Sequence, residues 1–163
     1  MGQRWPEGKM SERILTVLDT SPNAQAVLAQ SLYLARLAGV SVHVLHVHSV
    51  RAIHAALPVV AAPVAGVSLP GLPPADIAVG AQAQWLVDQA VAQLVAAGVQ
   101  TTGEVLDASE ERAAEAIMER AVQLAVRLIV LGARHRGRLA MLFRPTVAER
   151  VCHYPCCPVL VVP

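Results

Sequence analysis

The sequence predicts an α/β domain in which helices cover both faces of a parallel sheet. Short apolar segments alternate along the chain with segments whose apolar residues recur at helical spacing. Arg127–Leu131 is almost continuously apolar, which is typical of a strand buried on both faces. The chain has 163 residues, enough for one core but too few for two ordinary domains.

The first strand and helix follow this pattern closely. Arg13–Leu18 is short and apolar and is predicted as a strand. Ser21 is predicted as the N-cap of a helix, with Pro22 in the first helical position. The helix continues to about Ala38 and ends at Gly39. The apolar residues that roughly follow its 3.6-residue repeat are Val27, Leu28, Leu32, Leu34 and Leu37.

A long segment separates the second strand from the second helix. The strand is predicted at Ser41–His48 and the helix at about Val79–Ala97, ending at Gly98. Residues 49–78 contain five prolines and almost no charge. Loops of this length are uncommon in small domains, so the segment is predicted to be a lid, a cover for a dimer interface or a disordered stretch. Its apolar content favours packing of at least a part of it.

The third strand is predicted at Gln100–Leu106 and the third helix after Ser109, which is a candidate N-cap. Three acidic residues lie near the positive end of this helix: Glu110, Glu111 and Glu115. Its apolar stripe consists of Ile117, Met118, Ala121, Val122 and Ala125.

The last part of the chain carries a basic loop. The fourth strand, Arg127–Leu131, is followed by the loop Gly132–Pro145, which contains Arg134, Arg136, Arg138 and Arg144. Thr146 and Glu149 match a capping box and predict the start of a short helix. A fifth strand is predicted at Pro158–Val162.

Composition narrows the classes of function. Hydrophobic residues make up 55% of the chain, and a net charge of +1 gives no electrostatic case for nucleic acid. No apolar run reaches the about 20 residues needed to cross a bilayer. Residues 1–12 are expected to be a flexible extension before a single domain at 13–163, and they lack the apolar core of a secretory signal, so the expected location is the cytoplasm.

Two groups of residues are candidate metal ligands. His43, His46 and His48 lie on one strand, where alternation puts His43 on the opposite face from the other two, so packing or surface roles are favoured. The second group consists of Cys152, His153, Cys156 and Cys157. It lacks a C-x2-C pair, so structural thiols are favoured over zinc. No nucleophile–base pair and no Walker A loop is present, so the sequence does not indicate an enzyme beyond weak ATP hydrolysis.

In open parallel sheets, ligands bind outside the carboxyl ends of the strands, and here that edge gathers Asp19, His46–His48 and Gly132. The strand segments that carry a family resemblance are Ile14–Ser21, Val44–Val47, Leu128–Gly132 and the closing Cys157–Val162. Their order and spacing resemble the universal stress protein family over nearly the whole chain after Glu12.

The resemblance implies a three-layer α/β/α fold of the adenine nucleotide alpha-hydrolase-like type. It implies a five-stranded parallel sheet of order 3-2-1-4-5. It also implies a homodimer formed through the last strand, here Val159–Val162. ATP-binding members hold the nucleotide with a loop of pattern G-x2-G-x9-G-(S/T) after the fourth strand.

Carried over to this sequence, that loop is only partly present. Gly132 occupies the first glycine position, His135 the second and Pro145 the third, while Thr146 keeps the hydroxyl. Pro145 has no N–H to donate to a phosphate. The implied nucleotide-binding residues are Leu18, Asp19, Val47, Leu131, Gly132, Arg134, His135, Thr146 and Val147.

Several roles remain open at this point. Asp19 either binds a ribose hydroxyl or only closes the turn after the first strand. The arginines either replace the missing amides in phosphate binding or form a solvated loop. The expected function is a cytoplasmic stress-response module that binds an adenine nucleotide, ATP with Mg²⁺. The alternatives are a dimeric interaction protein with an unknown protein partner and, as a weaker one, a slow ATPase.

Overall fold

The computed structural model describes residues 13–49, 75–133, 145–153 and 155–163. Strands and helices alternate through these ranges. In chain order the elements are β1 (Arg13–Leu18), α1 (Ala24–Ala38), β2 (Ser41–Ser49), α2 (Ala75–Ala96), β3 (Thr101–Ala108), α3 (Ala113–Gln123), β4 (Leu128–Gly132), α4 (Val147–His153) and β5 (Val159–Val162).

The five strands form one sheet in the order β3-β2-β1-β4-β5, and every neighbouring pair is parallel. This confirms the fold class and the strand order that the resemblance implied. Val17 in β1 lies opposite Leu45 in β2 and Leu131 in β4. The carboxyl ends of these three strands therefore meet at one edge, with β1 in the centre.

Each face of the sheet packs against its own pair of helices. The apolar side chains of α1 and α2 pack on one face with Val42, Val44 and Val130, while α3 and α4 pack on the other with Leu15 and Leu45. The layer under α1 also contains a buried polar pair, in which the Thr16 hydroxyl donates to Ser31 Oγ over 2.8 Å. The sheet is thus the middle of three layers, as predicted.

The predicted N-caps of two helices are wrong. The N-cap of α1 is Asn23, because the Ser21 N–H and hydroxyl both bond to the Asp19 carboxylate instead. The N-cap of α3 is Arg112, whose N–H donates to the Ser109 carbonyl in the preceding turn. In both places the serine forms hydrogen bonds within the turn that precedes the helix, and the helix begins a few residues later.

Three residues assigned to apolar stripes face solvent, and one of them, Ala125, lies beyond the end of α3 at Gln123. Leu37 is 72% exposed and Val122 is 64% exposed. In α1 the core positions are taken by Ser31 and Ala35 as well as Val27 and Leu28. The predicted end of α1 is confirmed, since Gly39 adopts the left-handed conformation with φ 66°.

The expectations for residues 1–12 and for most of the segment 49–78 lie outside the described residues. At the end of that segment, α2 begins at Ala75, earlier than expected. None of the described helices is both long and apolar enough to cross a bilayer.

Candidate functional site

A pocket lies at the carboxyl edge of the sheet, on the face covered by α3 and α4. Its lining residues are Val17, Leu18, Asp19, Val47, Glu110, Ala113, Ile117, Leu131, Gly132, Thr146, Val147 and Ala148. The pocket encloses about 110 Å³, less than the about 300–1,000 Å³ of typical ligand sites. A nucleotide would therefore extend beyond these residues.

Seven of the nine residues expected from the sequence line this pocket: Leu18, Asp19, Val47, Leu131, Gly132, Thr146 and Val147. The other two, Arg134 and His135, lie outside the described residues. These seven predicted residues come from the ends of three strands and from the start of α4. The strand ends meet because parallel strands of one sheet end at the same edge.

The turn after β1 is closed by Asp19. One of its carboxylate oxygens accepts the Ser21 N–H over 3.0 Å and the Ser21 hydroxyl over 2.5 Å. This is the Asp turn that the sequence offered as one interpretation. Asp19 is half-buried and also lines the pocket, so the turn holds its carboxylate at the edge where a ligand would lie.

His46 supports the same edge from the opposite face of the sheet. Its buried ring donates from Nδ1 to the Leu18 carbonyl over 2.8 Å, because a carbonyl oxygen can only accept a hydrogen bond. Leu18 directly precedes Asp19, so this bond holds the end of β1 in place.

No group of three or more metal-ligating side chains occurs among the described residues, and His43 and His48 instead bond to side chains of β3.

Gly132 allows β4 to approach the start of α1. A Cβ at this position would lie 3.2 Å from Asn23 Nδ2 and 3.2 Å from Val27 Cγ2. Asn23 Nδ2 in turn donates to the Val162 carbonyl over 2.8 Å, and the Ala133 N–H donates to the same oxygen over 2.7 Å. The chain that leaves β4 is therefore tied to the end of β5.

The predicted capping box at the start of α4 is present. The Thr146 N–H donates to Glu149 Oε2 over 2.6 Å, and the Glu149 N–H donates to Thr146 Oγ1 over 3.2 Å. The Thr146 hydroxyl accepts one of these bonds and retains its own proton to donate to a ligand.

Sequence reasoning missed five lining residues: Val17, Glu110, Ala113, Ile117 and Ala148. Glu110 was assigned to the first turn of α3, but it lies in the turn between β3 and α3. The Arg150 guanidinium in α4 donates to the Glu110 carbonyl over 3.4 Å. Glu110 follows the carboxyl end of β3 closely, so the rule that ligands bind at strand ends could have identified it.

Cys152 lies in α4, and Cys156 and Cys157 lie just before β5. All three are free, with Cys152 exposed and Cys157 buried. Burial, and next the neighbouring Cys156 thiol, raise the pKa of Cys157 to about 12. A thiol of that pKa is protonated at neutral pH.

The comparisons with known proteins agree with this geometry. The model of the universal stress protein family matches residues 10–163. The chain belongs to the universal stress protein family. No curated protein matches the chain in sequence.

Solved structures of this family share the fold. A universal stress family protein from Burkholderia pseudomallei is 26% identical, with a TM-score of 0.65 over 96% of this chain and 98% of its own. A universal stress protein from Archaeoglobus fulgidus in complex with dAMP is 21% identical, with a TM-score of 0.64 over 95% of this chain and 100% of its own. A universal stress protein in complex with cAMP is 14% identical, with a TM-score of 0.64 over 94% of this chain and 98% of its own.

Proposed function

We propose that this universal stress protein is a cytoplasmic regulatory module that binds an adenine nucleotide at the carboxyl edge of its sheet. One observation carries the proposal: seven residues expected from the family pattern line a single pocket. The complexes of two structural neighbours with dAMP and cAMP support the ligand class.

The chemistry of the lining suits such a ligand. Apolar side chains such as Val17, Val47 and Ile117 provide a wall for a planar base. The Asp19 carboxylate can accept hydrogen bonds from ribose hydroxyls, and the Thr146 hydroxyl can donate to a phosphate oxygen. The proposed output is a change of conformation or of protein partner.

We propose binding rather than catalysis, with at most slow ATP hydrolysis. Hydrolysis would need a positioned water and Mg²⁺, and no general base for that water is evident in the sequence. ATP with Mg²⁺ remains the ligand to test first, because the family resemblance implies it.

The test is calorimetric titration of the purified protein with ATP and Mg²⁺, beside a His135→Gly/Pro145→Gly double variant. Micromolar binding by the wild type supports the proposal. Arg134→Ala and Thr146→Ala should then each weaken binding by about 1–3 kcal/mol if those side chains contact phosphate. Unchanged affinity in both variants would refute the phosphate site.

A second candidate is a dimeric interaction protein that binds no nucleotide. The observation that favours it is the capping box, since Glu149 already occupies the Thr146 N–H and Pro145 has none to offer. Binding of ATP by the double variant alone would support this candidate and move the search to protein partners.

The proposed dimer forms through β5. All four residues of this strand, Val159–Val162, are apolar and half-buried, and β4 pairs with only one of its edges. An apolar edge strand is a template for pairing with another chain. Light scattering should give the mass of a dimer for the wild type, and Leu160→Lys should shift it toward the monomer.

A further inference from the structure

A threonine, a histidine and a glutamate form a chain of hydrogen bonds across β2 and β3. His43 in β2 lies opposite Thr102 in β3, and Glu104 follows two residues later on the same side of its strand. His43 Nδ1 lies 2.7 Å from Thr102 Oγ1, and His43 Nε2 lies 2.9 Å from Glu104 Oε1. The imidazole therefore bridges a hydroxyl and a carboxylate through its two nitrogens.

The state of Glu104 determines where the protons lie in this chain. Burial raises the pKa of Glu104, but hydrogen bonds from Arg120 and His43 outweigh it and hold the pKa below 4.5. At neutral pH the carboxylate is therefore ionised and can only accept, so His43 Nε2 carries a proton. In the neutral ring Nδ1 then has a free lone pair, and the Thr102 hydroxyl donates to it.

The hydroxyl is accessible, whereas the base beside it is buried. Thr102 is exposed, and His43 is only 6% exposed. Thr102 is the second residue of β3, an outermost strand, so it lies near the amino edge of the sheet and away from the carboxyl-edge pocket. A small molecule from solvent can therefore reach the Thr102 oxygen.

A hydroxyl, an imidazole and a carboxylate bonded in this order are the arrangement in which proteins activate a hydroxyl for attack on an acyl carbon. We propose that Thr102 is an acyl-acceptor site, which is modified covalently by small activated esters. This reactivity is separate from the proposed nucleotide site, and either can fail without the other.

The transfer uses the three side chains in defined roles. Thr102 Oγ1 attacks the carbonyl carbon of the ester and forms a new C–O bond, while its proton passes to His43 Nδ1. The bond from that carbon to the leaving oxygen then breaks, and His43 returns the proton to the leaving oxygen. Glu104 is a positioning residue that orients the imidazole and stabilises its positive charge, and Arg120 holds Glu104 in place.

No local motif reveals this pair of nucleophile and base. Thr102 and His43 are 59 residues apart in the chain, and the register of β2 with β3 brings them together. The preceding residue, Thr101, provides an internal control, because its hydroxyl donates to the Val99 carbonyl over 3.0 Å and not to a base.

The experiment incubates the full chain with p-nitrophenyl acetate and follows acetylation of each residue by fragmentation mass spectrometry. We expect acetylation of Thr102 and not of Thr101. His43→Gln should slow acetylation of Thr102 by about 10²-fold, the typical effect of losing a general base. His48→Gln is the matched control, because His48 lies on the same strand but bonds to Asp107, and it should leave the rate unchanged.

A second measurement uses the wild type alone and does not depend on the folding of a variant. Thr102 should be acetylated about 10²-fold faster in the native protein than in urea, where the contact with His43 is lost. Circular dichroism shows whether each variant is folded. Equal rates for Thr102 in the native and the unfolded protein would overturn the proposal. An unchanged rate in a folded His43→Gln variant would overturn it as well.

Discussion

Arg120 in α3 donates two hydrogen bonds to the carboxylate of Glu104 in β3. The guanidinium Nη2 reaches Glu104 Oε2 over 2.8 Å, and Nε reaches Oε1. His43 in β2 adds a third contact, from Nε2 to Glu104 Oε1 over 2.9 Å. The outermost strand on this side of the sheet is therefore joined to its covering helix and to the neighbouring strand through one carboxylate.

Removing Arg120 should destabilise the fold. We expect Arg120→Met to lower the free energy of unfolding by about 1–3 kcal/mol, because Glu104 loses a bidentate, partly buried partner. Urea denaturation measures the change. Arg112→Met is the control, since its contact with Glu115 is 3.5 Å long and exposed, and it should cost less than about 0.5 kcal/mol. Equal losses in the two variants would contradict the stabilising role of the Arg120–Glu104 pair.

The Glu104 carboxylate should also make the stability of the fold depend on pH. Burial raises the pKa of Glu104, but the hydrogen bonds from Arg120 and His43 outweigh it and hold the pKa below its usual 4.5. A lowered folded-state pKa contributes stability that is complete above 4.5 and is lost as pH falls through the folded-state value. Urea denaturation from pH 7 to pH 3 should therefore show the gap between wild type and Glu104→Gln narrowing below about pH 4.5. A gap that stays constant would refute the assignment.

Gly103 should not tolerate a side chain. A Cβ there would lie 2.5 Å from Val87 Cγ1 and 2.7 Å from Val91 Cγ2 of α2, so Gly103→Ala should destabilise the fold by about 1–3 kcal/mol. A Cβ added at Gly80 in α2 would meet no atom within 4 Å, so Gly80→Ala should stabilise the fold by about 0.5–1 kcal/mol. Thermal and urea unfolding should give opposite signs for the two substitutions, and shifts in the same direction would exclude the steric explanation.

Two of the three thiols should react at clearly different rates. Cys152 is exposed, while Cys157 is buried and its pKa is about 12. Iodoacetamide at pH 8, followed by mass spectrometry of the peptides, should label Cys152 well before Cys157. Labelling of Cys157 should become comparable only when urea unfolds the protein. Equal rates in the native protein would mean that the loop before β5 opens readily.

The parts of the fold that the sequence predicted are those encoded by local patterns. The apolar run before Gly132 and the spacing from Thr146 to Glu149 require no knowledge of the tertiary structure, and both predictions are confirmed. Ser21 and Ser109 were predicted wrongly because several residues in each turn could serve as the cap. Local turns and tertiary hydrogen bonds determine which residue is the cap. In the first turn, for example, the Ser21 hydroxyl donates to the Asp19 carboxylate and does not cap the helix.

The candidate site was predictable where strand ends or the family pattern mark its residues. Asp19 and Gly132 lie at the ends of strands and were found in this way. Glu110 was missed because a glutamate before a helix is usually a favourable charge at its N-terminus. In the structure it lies in the turn before α3, where its carbonyl accepts a bond from Arg150. Ala113 and Ile117 belong to a helical stripe that also forms the core, so periodicity alone could not assign them to a pocket.

The pocket combines chain segments that are remote in sequence. Val17 and Val47 come from the early part of the chain, whereas Leu131 and Thr146 come from the late part, and β1 alone joins β2 to β4 in the sheet. A molecule that contacts residues from both the early and the late part of the chain would act as a reversible cross-link between them. A bound ligand would then raise the melting temperature of the whole molecule and slow its unfolding. The lifetime of the protein in the cell would therefore depend on the ligand concentration.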